Sequence, residues 1–253
     1  MSDHYQAGSI PAGRADMAVD AGLRSFMLGV YNKMALGLLW SALVAYLVGA
    51  VAPITAVVLA PPVIYLVQWG PVVLLLGSMF FMRNPSPTGS GILYWSVVTL
   101  IGAGLGIWVF LAIQGVSAQT VGGQTLNVTF GGIAKAFFVT AIAFGGLSLW
   151  GYTTKRDLSG LGSFLFFAIW GLVAVGVVNL FVHSTMLEIG MQLAGLVLFG
   201  LLIAFQTQSL KHSYYQLQGD TRSLAVMTNY GALNLYIAFI QIFQILLSFF
   251  SRE

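Results

Sequence analysis

The chain reads as an all-α integral membrane protein, a bundle of seven transmembrane helices. Three observations carry that reading. Charged residues make up 7% of the 253 positions against 58% hydrophobic. No formal charge stands between Lys33 and Arg83, or between Arg83 and Lys135. The basic residues that remain sort to one side. A spanning helix needs about 20 mostly apolar residues and excludes charge, so each gap holds one or two spans.

In chain order, residues 1–28 form a polar tail expected to be flexible and cytoplasmic, and 29–253 form the membrane domain. The tail has no apolar h-region, so no signal peptide is expected. The spans are placed at 34–52, 66–82, 92–113, 130–150, 162–182, 189–208 and 231–250. Between the first two, Pro53, Pro61, Pro62 and Pro71 punctuate an apolar run read as an outside loop with a partly buried or re-entrant piece. After Arg83, the Asn84–Gly89 stretch is a clear turn. Continuous apolarity excludes an outer-membrane barrel, whose strands alternate over about 10 positions.

Seven spans put Arg14, Arg24, Lys33, Arg83, Lys155, Arg156, Lys211 and Arg222 on the amino-terminal face, leaving Lys135 and Arg252 to the other. That bias predicts a cytoplasmic N-terminus and an outside C-terminus. The net charge of +3 follows from it. No basic cluster with interleaved aromatics points to nucleic acid, and none is expected as a partner; the lipid bilayer is. Zero cysteines exclude disulfides and thiolate chemistry. Small residues four apart (Gly102/Gly106, Ala141/Gly145, Gly190/Ala194, Gly200/Ala204) suit close helix packing, within the bundle or across a dimer face.

Catalytic constellations are missing. Gly146-Leu147-Ser148 begins like a nucleophile turn, but Leu149 replaces its second glycine, and no histidine lies in a late span. The chain is expected not to be an enzyme and to carry no cofactor. His183, Ser184 and Glu188 either hold a divalent ion or form a wet helix end; the second reading is preferred, and no metal is expected.

The most specific stretch runs from Gly151 and Tyr152 through Lys155, Arg156 and Asp157 to Ser159. By itself it obeys sidedness, with Asp157 placed to cap the next helix or pair with Arg156. It also resembles the signature loop of the Bax inhibitor family, the transmembrane Bax-inhibitor-motif proteins, in its bacterial type. Arg24-x-Phe26 with Val30-Tyr31, Val178-Asn179-x-Phe181, Thr207-Gln208-x-x-Lys211 and Gly231-Ala232-Leu233-Asn234-Leu235-Tyr236 continue the resemblance in register, over nearly all of 24–253.

The resemblance implies a seven-helix bundle with the C-terminal helix central, a calcium leak, a role in stress response and, in some bacteria, restraint of a membrane protease. It implies a latch of two aspartates sharing a proton, since two close carboxylates cannot both ionise cheaply. This sequence departs from the pattern at both places: Gln206 and Ala238 stand where the family has aspartate. Arg83 is the candidate basic partner of that latch, and if buried it is expected to seek Asp157. Three functions follow: a weak or pH-insensitive leak of Ca²⁺ or other cations; a non-conducting scaffold for a membrane protease or other membrane protein; or a small-molecule carrier. For the carrier, the polar face Asn234, Gln241 and Gln244, with Asn179, Gln192 and Gln206, would line a site. The plainer reading of those amides is interhelical hydrogen bonding. The expected location is a bacterial inner membrane.

Overall fold

The computed structural model describes residues 12–82 and 84–252, with side chains from residue 21 onward. Helix α1 (Ala12–Ala50) is followed by the short α2 (Ala52–Val58), α3 (Val63–Phe81) and α4 (Pro87–Gln114). A small hairpin, β1 (Ala118–Gln119) and β2 (Thr125–Leu126), leads to α5 (Phe130–Thr153), α6 (Ser159–Val182), α7 (Thr185–Gln216) and α8 (Thr221–Phe250). Seven helices among the described residues are long and apolar enough to cross a membrane, with 21–50 the membrane-length part of α1. Their starts follow local chemistry. Ser86, Thr129 and Ser184 accept a backbone N–H at the first turns of α4, α5 and α7, and Asp220 accepts two at α8.

Helices α4, α7 and α8 have longer ends than expected: α4 starts at Pro87, inside the stretch read as a turn, α7 runs to Gln216 and α8 starts at Thr221. Two further boundaries differ from the expectation. The stretch 53–71 is helix at both ends: α2 covers its beginning, and α3 starts at Val63 and runs through Pro71. Pro53 sits in the first turn of α2, where a helix does not need its N–H. Pro71 lies inside α3 and is buried against its neighbours, a position membrane helices tolerate. At the other boundary, α1 extends back to Ala12, within the stretch read as tail. Leu23, Phe26 and Met27 are buried in the core, which holds that part of the helix in place.

Of the seven helices, α8 is the most buried, with over half of its apolar window inside the protein. Leu233, Leu235, Tyr236, Ala238, Ile242 and Leu247 are essentially inaccessible, and α8 touches α1, α4, α5 and α7. Helix α6 rests mainly on α7, and α3 on α4. Of the four small-residue pairs, two make close approaches. A Cβ on Gly106 would stand 2.6 Å from Val48 Cβ, and one on Gly102 would stand 2.8 Å from Ser41 Cα, so α1 and α4 meet backbone to backbone. Ala204 packs likewise on Gly151 of α5, where a Cβ would be 2.8 Å from its Cα. Cβ atoms on Gly145 and Gly190 would meet nothing within 4 Å.

Candidate functional site

Gln206 lies on α7 and Ala238 on α8, the helices that carry the two latch positions. Gln206 lines a cleft of about 220 Å³ between α7 and α8, with Gly231 and Asn234 opposite. Its Oε1 is shielded from solvent and accepts no hydrogen bond. Ala238 is one turn beyond Asn234 and fully enclosed among hydrophobic side chains. Beside Gln206, Thr207 is fully buried, its hydroxyl 3.1 Å from that of Ser148, which is 2.6 Å from the Tyr31 phenol. This run of hydroxyls joins α1, α5 and α7 without any titrating carboxylate. Ser148 is thereby a helix-interior hydrogen-bonding residue. Arg83 lies outside the described residues, and so does its expected pairing with Asp157.

The signature segment and the Thr207-Gln208-x-x-Lys211 motif, far apart in sequence, meet. Gly151 and Tyr152 belong to the last turn of α5; the connection proper begins after Thr153. The Gln208 side chain spans it, accepting the Leu158 N–H at 2.7 Å and donating to the Arg156 carbonyl at 2.8 Å. Lys211 donates to the Tyr152 carbonyl at 3.4 Å and sits 5.3 Å from the centre of that ring. The result holds Lys155, Arg156 and Asp157 exposed on a pinned turn. Of the two roles open to Asp157, the structure selects the local one. Its carboxylate takes the Ser159 hydroxyl and N–H at the start of α6, which hold the carboxyl below its usual value of 3.8. It forms no ion pair with Arg156; the one salt bridge among the described residues lies elsewhere.

Sequence reasoning missed two polar clusters. On the amino-terminal face, Lys33 donates to Asn229 Oδ1, while the Asn229 amide donates to Pro87 O at 2.9 Å and Ser90 Oγ at 2.7 Å. Tyr94 donates to the Lys33 carbonyl at 2.7 Å, and the ammonium lies over its ring. These contacts tie α1, α4 and α8 together. On the opposite face, buried Glu188 accepts from Thr120 Oγ1 at 2.7 Å, Gly122 N at 2.9 Å and Gln192 Nε2 at 3.3 Å. Arg252 completes it at 3.6 Å and bridges Leu126 of the hairpin through its backbone. Glu188 is the only acidic residue between Asp157 and Asp220, a signal available in the sequence. His183 and Ser184 do not join it: His183 takes a left-handed conformation ending α6, and Ser184 caps α7. Asn179 is buried and accepts the Ser184 N–H at 3.0 Å.

The expected polar face of α8 divides. Asn234 faces the α7 cleft with Gln206, whereas Gln241 and Gln244 face a separate cavity beside α3 and α4. Interhelical hydrogen bonding, the plainer reading of these amides, holds for Gln192, which donates to Ser248 of α8, and for none of these three, while Asn179 fastens the α6–α7 turn.

The family described as inhibitor of apoptosis-promoting Bax1 matches residues 23–253. The chain belongs to the Bax inhibitor family. A Caulobacter vibrioides protein is 48% identical over 253 residues, covering 96% of this chain and 95% of the relative. A Rickettsia prowazekii protein is 34% identical, covering 92% of each. The inner membrane protein YbhL of Escherichia coli K12 is 33% identical over 245 residues, covering 95% of this chain and 97% of its own. This Bax inhibitor family member is therefore a multi-pass integral membrane protein, and the sequence resemblance is borne out.

Proposed function

We propose that this chain is a calcium-leak channel scaffold of the Bax inhibitor type in which the paired-aspartate latch is replaced, leaving a weak, pH-insensitive ion leak. One observation carries the reading. Where the family pattern implies two carboxylates, the chain has a shielded amide oxygen at Gln206 and a fully enclosed methyl at Ala238. An amide hydrogen-bonds but does not titrate, and a methyl does neither. Calcium takes hard oxygen ligands, commonly carboxylates, so their loss weakens selectivity along with pH response. Removing an intramembrane carboxylate also relieves about 2.5–3.5 kcal/mol of insertion cost. The bias of basic residues toward the amino-terminal face, and the location given in the name of YbhL, support a bacterial inner membrane with the N-terminus inside. No catalytic step is part of this reading. Calcium flux in proteoliposomes tests it: a low rate, flat from about pH 5 to about pH 8, is expected, and a steep pH response contradicts it.

A second reading is a non-conducting scaffold for another membrane protein. It is favoured by the turn at Lys155, Arg156 and Asp157, which Gln208 pins and leaves exposed. A protein retained on purification from native membranes, and lost with Lys155→Ala/Arg156→Ala, would favour it over the leak.

A further inference from the structure

Between α3, α4 and α8, toward the end of the bundle that carries the hairpin and Arg252, lies a cavity of about 580 Å³. Gln68 of α3, Gln119 of β1, and Gln241 and Gln244 of α8 line it, with Trp108 of α4 in the wall. The rest of the lining is apolar, and no charged residue contributes. None of these four amides hydrogen-bonds to a protein group among the described residues.

Gln68 and Gln119 are exposed and Gln241 and Gln244 half-buried, so all four amides are open to a molecule that enters the cavity. Each glutamine offers two N–H donors and an acceptor oxygen. At 1.5 Å per residue, Gln68 lies about 7.5 Å from the start of α3 and Gln244 about 9 Å from the end of α8. The amides therefore sit near the depth where polar headgroups meet apolar chains. The volume is within the roughly 300–1,000 Å³ of small-molecule sites. With no countercharge, an ionic group gains little there. Vicinal hydroxyls suit amides that both donate and accept, and an indole face covers the apolar face of a sugar ring.

We propose that this cavity binds a neutral polyhydroxyl group, a sugar ring, supplied either as the head of a membrane lipid or as a free sugar. The site is independent of whether the bundle passes ions, so its test stands apart from the latch.

The test uses the full chain in phosphatidylcholine nanodiscs, with monoglucosyl diacylglycerol in the bilayer, methyl glucoside in solution, or phosphatidylglycerol as the charged counterpart. The expected result is a saturable rise of about 5 °C in the unfolding midpoint with a glucosyl probe. Gln241→Leu/Gln244→Leu abolishes it. Gln119→Leu, in the hairpin outside the spans, weakens apparent affinity about tenfold and decides the matter if the double variant does not fold. A rise with the lipid alone identifies a lipid headgroup, and a rise with methyl glucoside identifies a diffusible sugar; both uphold the site. No rise with either probe, an equal rise in the variants, or a rise with phosphatidylglycerol alone overturns it.

Discussion

Replacing Glu188 with glutamine should open the hairpin without unfolding the helices. The carboxylate accepts from Thr120, Gly122 and Gln192 and faces Arg252, with side-chain exposures of 10% for Glu188 and 16% for Arg252. Glutamine keeps the volume but presents one acceptor oxygen instead of two, so either the Gly122 side or the Arg252 side meets an NH₂ group. Losing one charge-assisted hydrogen bond costs about 1.5–3 kcal/mol. That cost falls on the segment these bonds hold: residues 118–126 and the carboxy-terminal strap, where Asn127 N–H donates to Ser251 O at 2.7 Å. At about 1.4 kcal/mol per factor of ten, amide exchange at Gly122 and Asn127 should accelerate roughly 10- to 150-fold. Exchange within α8 should not change. Hydrogen exchange read by mass spectrometry on the protein in nanodiscs measures both. Acceleration below about threefold at Gly122, within that same scale, would refute the assigned role of Glu188.

Other perturbations follow from the same geometry. Gly106→Val drives a side chain into Val48 and should cost about 1–3 kcal/mol or more, read as a lower unfolding midpoint; unchanged stability would contradict the close α1–α4 contact. Gln208→Ala strands the buried Leu158 N–H at a cost of about 1–3 kcal/mol, and should make the 154–158 connection more sensitive to protease while the helices stay intact. The Asp157–Ser159 turn at the start of α6 should be acid-sensitive. Because Ser159 holds the Asp157 carboxyl below 3.8, its contribution is complete above that value and is lost as pH falls through the lower folded value. Exchange at Ser159 should therefore rise only below about pH 4, and Asp157→Asn should remove that dependence.

Much of the fold was legible because a bilayer imposes simple rules. Long runs almost free of charge, with Lys135 the one charge inside a span, gave all seven spans, and side-chain caps at Ser86, Thr129, Ser184 and Asp220 start four of the helices. The stretch before α3 was misread as loop because Pro53, Pro61 and Pro62 read as helix breakers, whereas Pro53 sits in the first turn of α2 and α3 starts at Val63, directly after Pro62. The candidate site was legible in its identities and less so in its geometry. Register alone located Gln206 and Ala238. That Gln208 closes the Arg156–Leu158 turn depends on helix packing between α5 and α7, which no local pattern records. The same holds for Lys33 and Asn229, 196 positions apart. Asn234, Gln241 and Gln244 share a stripe on α8, but different neighbours cover its two ends.

Calcium flux into proteoliposomes holding the native chain, beside a Gln206→Asp/Ala238→Asp variant, at about pH 6 and about pH 8, tests the central claim most directly. The account predicts a native rate that is low and equal at both values, and a variant whose rate changes with pH. A native chain whose own leak changes steeply with pH would contradict it, because the titrating group would then lie away from Gln206 and Ala238.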